Sequence, residues 1–354
     1  MTLVVPFRRE LSTLPAYRAP REGRRGRIRL DMNENTTGPA ARVLERLRRL
    51  DPASIASYPE YAGAERELAR RFGVRPGELL LTAGADDALR LLADAFLERG
   101  ARVLIVEPTF ALYRWYGQRA GARVVALRYG PRLEFPIERV CRWLDRQPPR
   151  LFFLANPNNP TGTVLPRPAL LQILEAARAT LVVVDEAYAD FAAVSLVAEV
   201  GRPNLVVLRT FSKAAGLAGL RVGCLMAHRE VANLLRRVRP PYSVSAVAVE
   251  AALAAAADRR EEQRRVRAVI RQRQRLLAGL QRLGIPAWPS AANFVLADFG
   301  PVAPAVVAAL ERRGILVRDR SEDFGRPGPV RITVGTPAEM KTLFEVLPQC
   351  LGAR

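Results

Sequence analysis

The sequence predicts an α/β protein: a mostly parallel sheet flanked by helices, followed by a smaller α+β unit. Three observations carry this. Short runs rich in Val, Leu and Ile alternate with helical patterns from Leu79 to Met226, as in successive strand–helix–strand units. The run Leu181–Val184 is continuously apolar, as in a strand covered on both faces. The pattern then restarts, with strand-like pieces at Asn293–Ala297, Ile315–Arg318 and Val330–Val334. At 354 residues the chain exceeds what one core usually holds, so division is expected. The expected units are an arm over 1–38, a large domain over 39–283 and a small domain over 284–354.

Residues 1–38 are rich in Pro and Arg and end in Leu30-Asp-Met-Asn-Glu-Asn-Thr-Thr-Gly38. Their apolar pattern is too thin to fold alone, so they are expected to lie across another surface. Residues 39–50 read as an amphipathic helix through Val43, Leu44, Leu47 and Leu50. Tyr58-Pro-Glu-Tyr61 is a turn, and a helix follows from about Ala64 to Phe72. Leu79–Ala88 reads as a strand, a small-residue turn and a helix start. The N–H groups after Gly84 suit an anion, or an ordinary capped helix. Further strands are expected at Val103–Val106, Val124–Leu127, Leu151–Leu154, Leu205–Leu208 and Val222–Met226, with a helix over Pro168–Arg178. In parallel sheets ligands gather beyond the carboxyl ends of strands. Phe110, Asn159, Asp185 and Lys213 all fall at such ends. Residues 246–283 read as one or two long Arg-rich helices with an apolar stripe at Val266, Val269, Ile270, Leu277 and Leu280.

Composition narrows the function. The net charge is +20, but the arginines are spread along the chain and no nucleic-acid motif accompanies them. A solvated surface that steers small anions is the expectation. The single histidine, His228, excludes mechanisms built on several histidines and any His-rich metal site. It is expected at the surface, where a strand enters a helix. Cys141, Cys224 and Cys350 are odd in number and widely spaced, which argues against a disulfide framework or a zinc site. The apolar run near Met1 is ended by Pro6, and Ala246–Ala257 is too short to span a bilayer and contains Glu250. Neither a signal peptide, a membrane span nor a metal is expected, and the cytoplasm is the expected compartment.

Of 55 Lys and Arg residues only Lys213 and Lys341 are lysine. A primary amine forms a Schiff base with an aldehyde and a guanidinium does not. Composition alone leaves Lys213 open between that chemistry and a leftover surface lysine. A Schiff-base cofactor enzyme needs a lysine for the aldehyde, a carboxylate to keep a pyridine nitrogen protonated, and ligands for a phosphate. Lys213, Asp185 and the group Gly84, Ser212 and Arg221 stand at successive strand ends. Asp185 follows four aliphatic residues, a setting where a carboxylate gains by pairing with a cation. Tyr188 lies three residues on. Arg221, eight residues after Lys213, can grip a phosphate bidentately.

On these motifs the chain resembles the fold-type I, class I/II pyridoxal-phosphate aminotransferases. The resemblance runs through Pro15-Ala-Tyr17, Asp31-Met-Asn-Glu-Asn35, Tyr58-Pro-Glu60, Gly84-Ala-Asp86, Pro108-Thr-Phe110, Asn156-Pro-Asn-Asn-Pro-Thr-Gly162 and Asp185-Glu-Ala-Tyr188. It continues through Thr210-Phe-Ser-Lys213 with Arg221, Asn293-Phe-Val-Leu296, Gly314-Ile-Leu-Val-Arg318 and Val330-Arg-Ile-Thr-Val-Gly-Thr336. It implies the cofactor pyridoxal 5′-phosphate, held by Lys213, which also moves the substrate proton. It implies that Asp185 pairs with the pyridine nitrogen, that Asn159 and Tyr188 bind the ring oxygen, and that Phe110 stacks on the ring. Ala85, Asp86, Thr210, Ser212 and Arg221 are implied phosphate ligands. Tyr58 is implied to reach the neighbouring subunit's cofactor, which makes a homodimer with shared sites, the arm packing against the small domain and the partner. Arg331 is implied to bind the substrate anion, with Arg318, Tyr17, Asn33 and Tyr242 on the substrate side.

Within that family the motifs are most similar to enzymes of histidine biosynthesis. This implies transfer of the amino group of L-histidinol phosphate to 2-oxoglutarate, giving imidazole acetol phosphate and L-glutamate. Taken singly, turn formation and capping also account for Asn159 and Asp185, the abundance of arginine for Arg318 and Arg331, and packing for Tyr17 and Tyr242. Two departures bear on substrate choice: Thr36-Thr37 stands where the family commonly has Pro and a bulky residue, and Phe110 stands where it often has tyrosine. They leave open an aromatic amino donor or decarboxylation of threonine phosphate. A DNA-binding regulator on this fold needs a helix-turn-helix domain, for which the 38 arm residues leave no room.

Overall fold

The computed structural model describes residues 8–16 and 22–351. Its strands are β1 (Ile28–Arg29), β2 (Leu79–Thr82), β3 (Arg102–Glu107), β4 (Arg123–Arg128), β5 (Leu151–Ala155) and β6 (Leu181–Asp185). They continue as β7 (Leu205–Thr210), β8 (Gly223–Ala227), β9 (Phe294–Asp298), β10 (Ile315–Leu316), β11 (Arg318–Asp319) and β12 (Pro329–Thr333). Seven form one sheet in the order β2-β8-β7-β6-β5-β3-β4. All neighbours in it are parallel except β8, which is antiparallel to both β2 and β7. This is an α/β fold with a mostly parallel sheet and a smaller second sheet.

Strand pleating sends alternate residues to opposite faces. Leu79, Leu81, Val182, Val184 and Val207 join one core cluster, and Leu80, Leu181, Val183, Val206 and Leu208 join another on the far side. Both faces are therefore covered, which is why these strands read as unbroken apolar runs. Helices Tyr61–Phe72, Arg167–Ala176 and Ala246–Ala257 supply the first layer; Gly84–Phe96 and Ala111–Arg119 supply the second.

The chain beyond the long helix Arg259–Arg282 carries its own core around the antiparallel sheet β11-β12-β9. The single strand expected over Ile315–Arg318 is two. β10 pairs with β1 of the arm, while β11 turns to pair with β12. Leu30 is fully buried in this second core, so the arm lies across it. The helical stretch expected over 246–283 breaks at Asp258, whose carboxylate caps the second helix by accepting from the Glu261 N–H at 3.1 Å.

Candidate active site

Parallel strands deliver their carboxyl ends to one edge, and a cavity of about 910 Å³ opens there between the large sheet and the second core. β8 runs the other way, so its beginning lies at the same edge: Gly223 is opposite both Thr82 and Thr210. This direction carries Arg221 to the cavity. β3 and β5 are hydrogen-bonded only through Val103–Leu151 and Leu104–Phe152. Beyond that, Thr109 Oγ1 donates to Asn158 Oδ1 at 2.8 Å and Asn158 Nδ2 to the Pro108 carbonyl at 2.9 Å. These bonds fix the loops that bear Phe110 and Asn159.

On one side the cavity gathers groups able to bind an anion. Ala85 and Asp86 form the first turn of helix Gly84–Phe96, whose N-cap Ala83 offers no side-chain cap. The Thr210 hydroxyl donates to Ser212 Oγ at 2.9 Å and accepts from the Ser212 N–H at 3.1 Å. Arg221, held in a left-handed conformation at φ 51°, donates to Asp86 Oδ2 at 3.2 Å and to the Ala218 carbonyl at 3.1 Å. Gly84 has φ +81°, and a Cβ there would stand 2.7 Å from Arg221 Nη2.

Deeper in, Asp185 is buried at the end of β6. It accepts from the Tyr113 hydroxyl at 2.8 Å and from the Ala187 N–H at 3.0 Å. Burial raises its pKa. The Tyr113 and Ala187 bonds oppose that rise, Asp86 adds to it, and Lys213 opposes it. A carboxylate so placed favours an added cation. Lys213 Nζ donates to the Met32 carbonyl at 3.2 Å and stands 5.6 Å from the centre of the Tyr188 ring. Lys341, by contrast, is a surface lysine near Glu345 on the terminal helix. Phe110 sits edge-on to Tyr113, and Tyr113 stacks on Phe153.

The opposite wall is arginine-rich. Arg318 and Arg331 are register partners across β11 and β12, so both side chains leave on one face. Like charges directly opposed repel, and the carboxylate of Asp323, which also lines the cavity, interacts electrostatically with both. Arg331 donates to Asn159 Oδ1 at 2.5 Å and to the Asp31 carbonyl at 2.6 Å. Asn33 Nδ2 donates to the Tyr188 hydroxyl at 2.9 Å.

Most of the residues singled out from the sequence thus face one cavity. Tyr58 and Tyr242 do not. They stack on each other at 4.3 Å, with 75% and 53% exposure. Tyr17 lies outside the described residues. His228 caps helix Arg229–Val238 by accepting from the Glu230 N–H. Sequence reasoning missed Tyr113 and Arg24, both of which line the cavity. Tyr113 follows Phe110 by one helical turn, a spacing that was its only signal.

The model for aminotransferases of class I and II matches residues 25–347. The chain belongs to the class I and II aminotransferase family. This aminotransferase is 39% identical over 336 residues to the histidinol-phosphate aminotransferase of Roseiflexus castenholzii, covering 91% of this chain and 89% of that one. The histidinol-phosphate aminotransferase of Sinorhizobium meliloti, solved with pyridoxal-5′-phosphate, superposes with a TM-score of 0.85 at 30% identity, covering 92% and 90%. The L-threonine-O-3-phosphate decarboxylase of Porphyromonas gingivalis superposes at 0.81 with 28% identity, covering 92% and 99%. Among the described residues, no helix is long and apolar enough to cross a membrane.

Proposed function

We propose that this aminotransferase binds pyridoxal 5′-phosphate and moves the amino group of L-histidinol phosphate to 2-oxoglutarate, forming imidazole acetol phosphate and L-glutamate. One observation carries the reading: a single cavity is lined by Lys213 and buried Asp185 and also by the opposed pair Arg318 and Arg331. The likeness to the Roseiflexus and Sinorhizobium enzymes supports the same substrate.

The residues present fit the cofactor. The absence of a Cβ at Gly84 lets the Arg221 guanidinium close onto the start of the helix, so that cation and helix N–H groups can serve one phosphate. The raised pKa of Asp185 suits pairing with a protonated ring nitrogen. When bound, pyridoxal phosphate supplies an aldehyde for an amine and a ring that withdraws the electron pair left at the substrate Cα. In this reading Ala85, Asp86, Thr210, Ser212 and Arg221 hold the phosphate, and Phe110 covers one ring face. Asp185 keeps the ring nitrogen protonated, while Asn159 and Tyr188 orient the ring oxygen. Lys213 Nζ would hold the cofactor's aldehyde and serve as the base that takes the proton from the substrate Cα. Arg331 and Arg318, with Asn33 beside them, bind the donor's phosphate and then the acceptor's carboxylate. One anion pocket therefore serves both substrates in turn, as a ping-pong reaction requires.

The exposed Tyr58–Tyr242 stack supports a homodimer in which Tyr58 reaches the partner's cofactor phosphate. Histidine biosynthesis in the cytoplasm is the proposed setting. The test is glutamate formation by purified holoenzyme from 2-oxoglutarate with L-histidinol phosphate, L-phenylalanine or O-phospho-L-threonine as donor. The expected result is the highest kcat/KM with L-histidinol phosphate. Release of carbon dioxide from O-phospho-L-threonine, with no amino transfer from L-histidinol phosphate, would overturn it.

A further inference from the structure

Three consecutive arm residues touch three different parts of the site. The Asp31 carbonyl accepts from Arg331 Nη2 at 2.6 Å. The Met32 carbonyl accepts from Lys213 Nζ at 3.2 Å. Asn33 donates its side-chain amide to Tyr188. Asn33 also has φ 54°, a left-handed conformation that a non-glycine residue holds only when its surroundings over-determine it. They do: its N–H donates to Thr333 Oγ1 and its carbonyl accepts from Asn293 Nδ2, both at 3.0 Å.

What holds this stretch from the side is Arg24. Its Nε donates to Asp31 Oδ2 at 2.9 Å, and its Nη2 donates to Asp31 Oδ1 and to Glu34 Oε2, both at 2.7 Å. The fork is bidentate on Asp31, which is 2% exposed. Glu34 is held from its other oxygen by Arg29. Arg24 therefore brackets residues 31–34 on both flanks of the carbonyls that meet Arg331 and Lys213. Lysine could supply the charge but not the fork.

We propose that Arg24 is a positioning residue: its grip on Asp31 and Glu34 sets the arm carbonyls that orient Arg331 for the substrate anion and Lys213 for proton transfer. The proposal rests on the reading of Arg331 and Lys213 given above.

Two measurements on the holoenzyme test it without turnover. One is the affinity for maleate, an unreactive dicarboxylate, read from the visible spectrum. The other is the pH midpoint of the bound cofactor's visible band. In Arg24→Met, maleate affinity is expected to fall about tenfold, the scale of one charge-assisted hydrogen bond, and the midpoint to move. That variant also leaves the Asp31 carboxylate buried without Arg24, so Arg24→Met/Asp31→Asn is the deciding protein. It removes the orphan charge without restoring the grip. The double variant is expected to regain the wild-type melting temperature and keep both spectroscopic defects. Recovery of wild-type maleate affinity and midpoint in the double variant would overturn the proposal, because Arg24 would then only neutralise Asp31. Wild-type values in Arg24→Met would overturn it as well. A wild-type protein that binds maleate but does not use L-histidinol phosphate would remove the substrate reading and leave this one standing.

Discussion

Asp185 shows how much one side chain can be at odds with its surroundings until a ligand arrives. Its pKa is raised, first by burial and then against the opposing bonds from Tyr113 and Ala187. In the apoprotein its stabilising contribution is therefore fully present below the ordinary carboxylate pKa and lost as pH rises through the raised value. Above the raised value the cost of the buried charge is at its full size. Asp185→Asn removes that cost. The expected outcome is an apoprotein with a melting temperature at or above wild type near about pH 8, the difference closing below about pH 4, together with loss of transaminase activity. A less stable Asp185→Asn apoprotein at the higher pH would contradict this account. Asp185 was legible in the sequence because it ends a continuous apolar run, and Lys213 because it is one of two lysines among 55 cations and stands in the Thr210-Phe-Ser-Lys213 motif. Tyr113 was not, since its bond to Asp185 joins residues 72 apart and no local pattern marks it. Arg24 was hidden for another reason: in an arm crowded with arginine, only the fold selects which one meets Asp31.

The element that could least be read in advance is β8. A strand buried on both faces has the same apolar run whichever way it points, so the sequence located it without its direction. The antiparallel direction is what carries Arg221 to the cavity edge, beside the first turn of helix Gly84–Phe96. The split of Ile315–Arg318 into β10 and β11 was equally hidden, because it depends on the arm arriving as β1 to pair with β10. At this scale Gly84 is the sensitive point. Gly84→Ala forces a side chain onto φ +81° with its Cβ 2.7 Å from Arg221 Nη2. The backbone cost is about 1–2 kcal/mol. Titration of the apoprotein with pyridoxal phosphate is expected to show at least about tenfold weaker binding. Unchanged affinity would mean that the phosphate is held elsewhere.

At the scale of the whole molecule, some surface arginines pair locally, as Arg90 does with Asp87 and Asp94. The exposed Tyr58–Tyr242 stack is the feature that points outward, and the proposed shared site makes a definite forecast. Lys213→Ala alone should leave no cofactor fixed by borohydride, and Tyr58→Ala alone should bind the cofactor poorly. Mixed and reassembled, the two variants should regain activity, because one of the two sites in each hybrid then holds an intact Lys213 and an intact partner tyrosine. Activity no greater than the separate variants would argue against sharing. The opposed arginines on β11 and β12 have a consequence of a different kind. Lys213, Asp185 and the phosphate ligands all precede Arg282, whereas Arg318 and Arg331 both follow it on adjoining strands. A crossover between related genes beyond the long helix exchanges both arginines in one event and leaves every proposed cofactor ligand untouched, so recognition can drift while the chemistry is conserved.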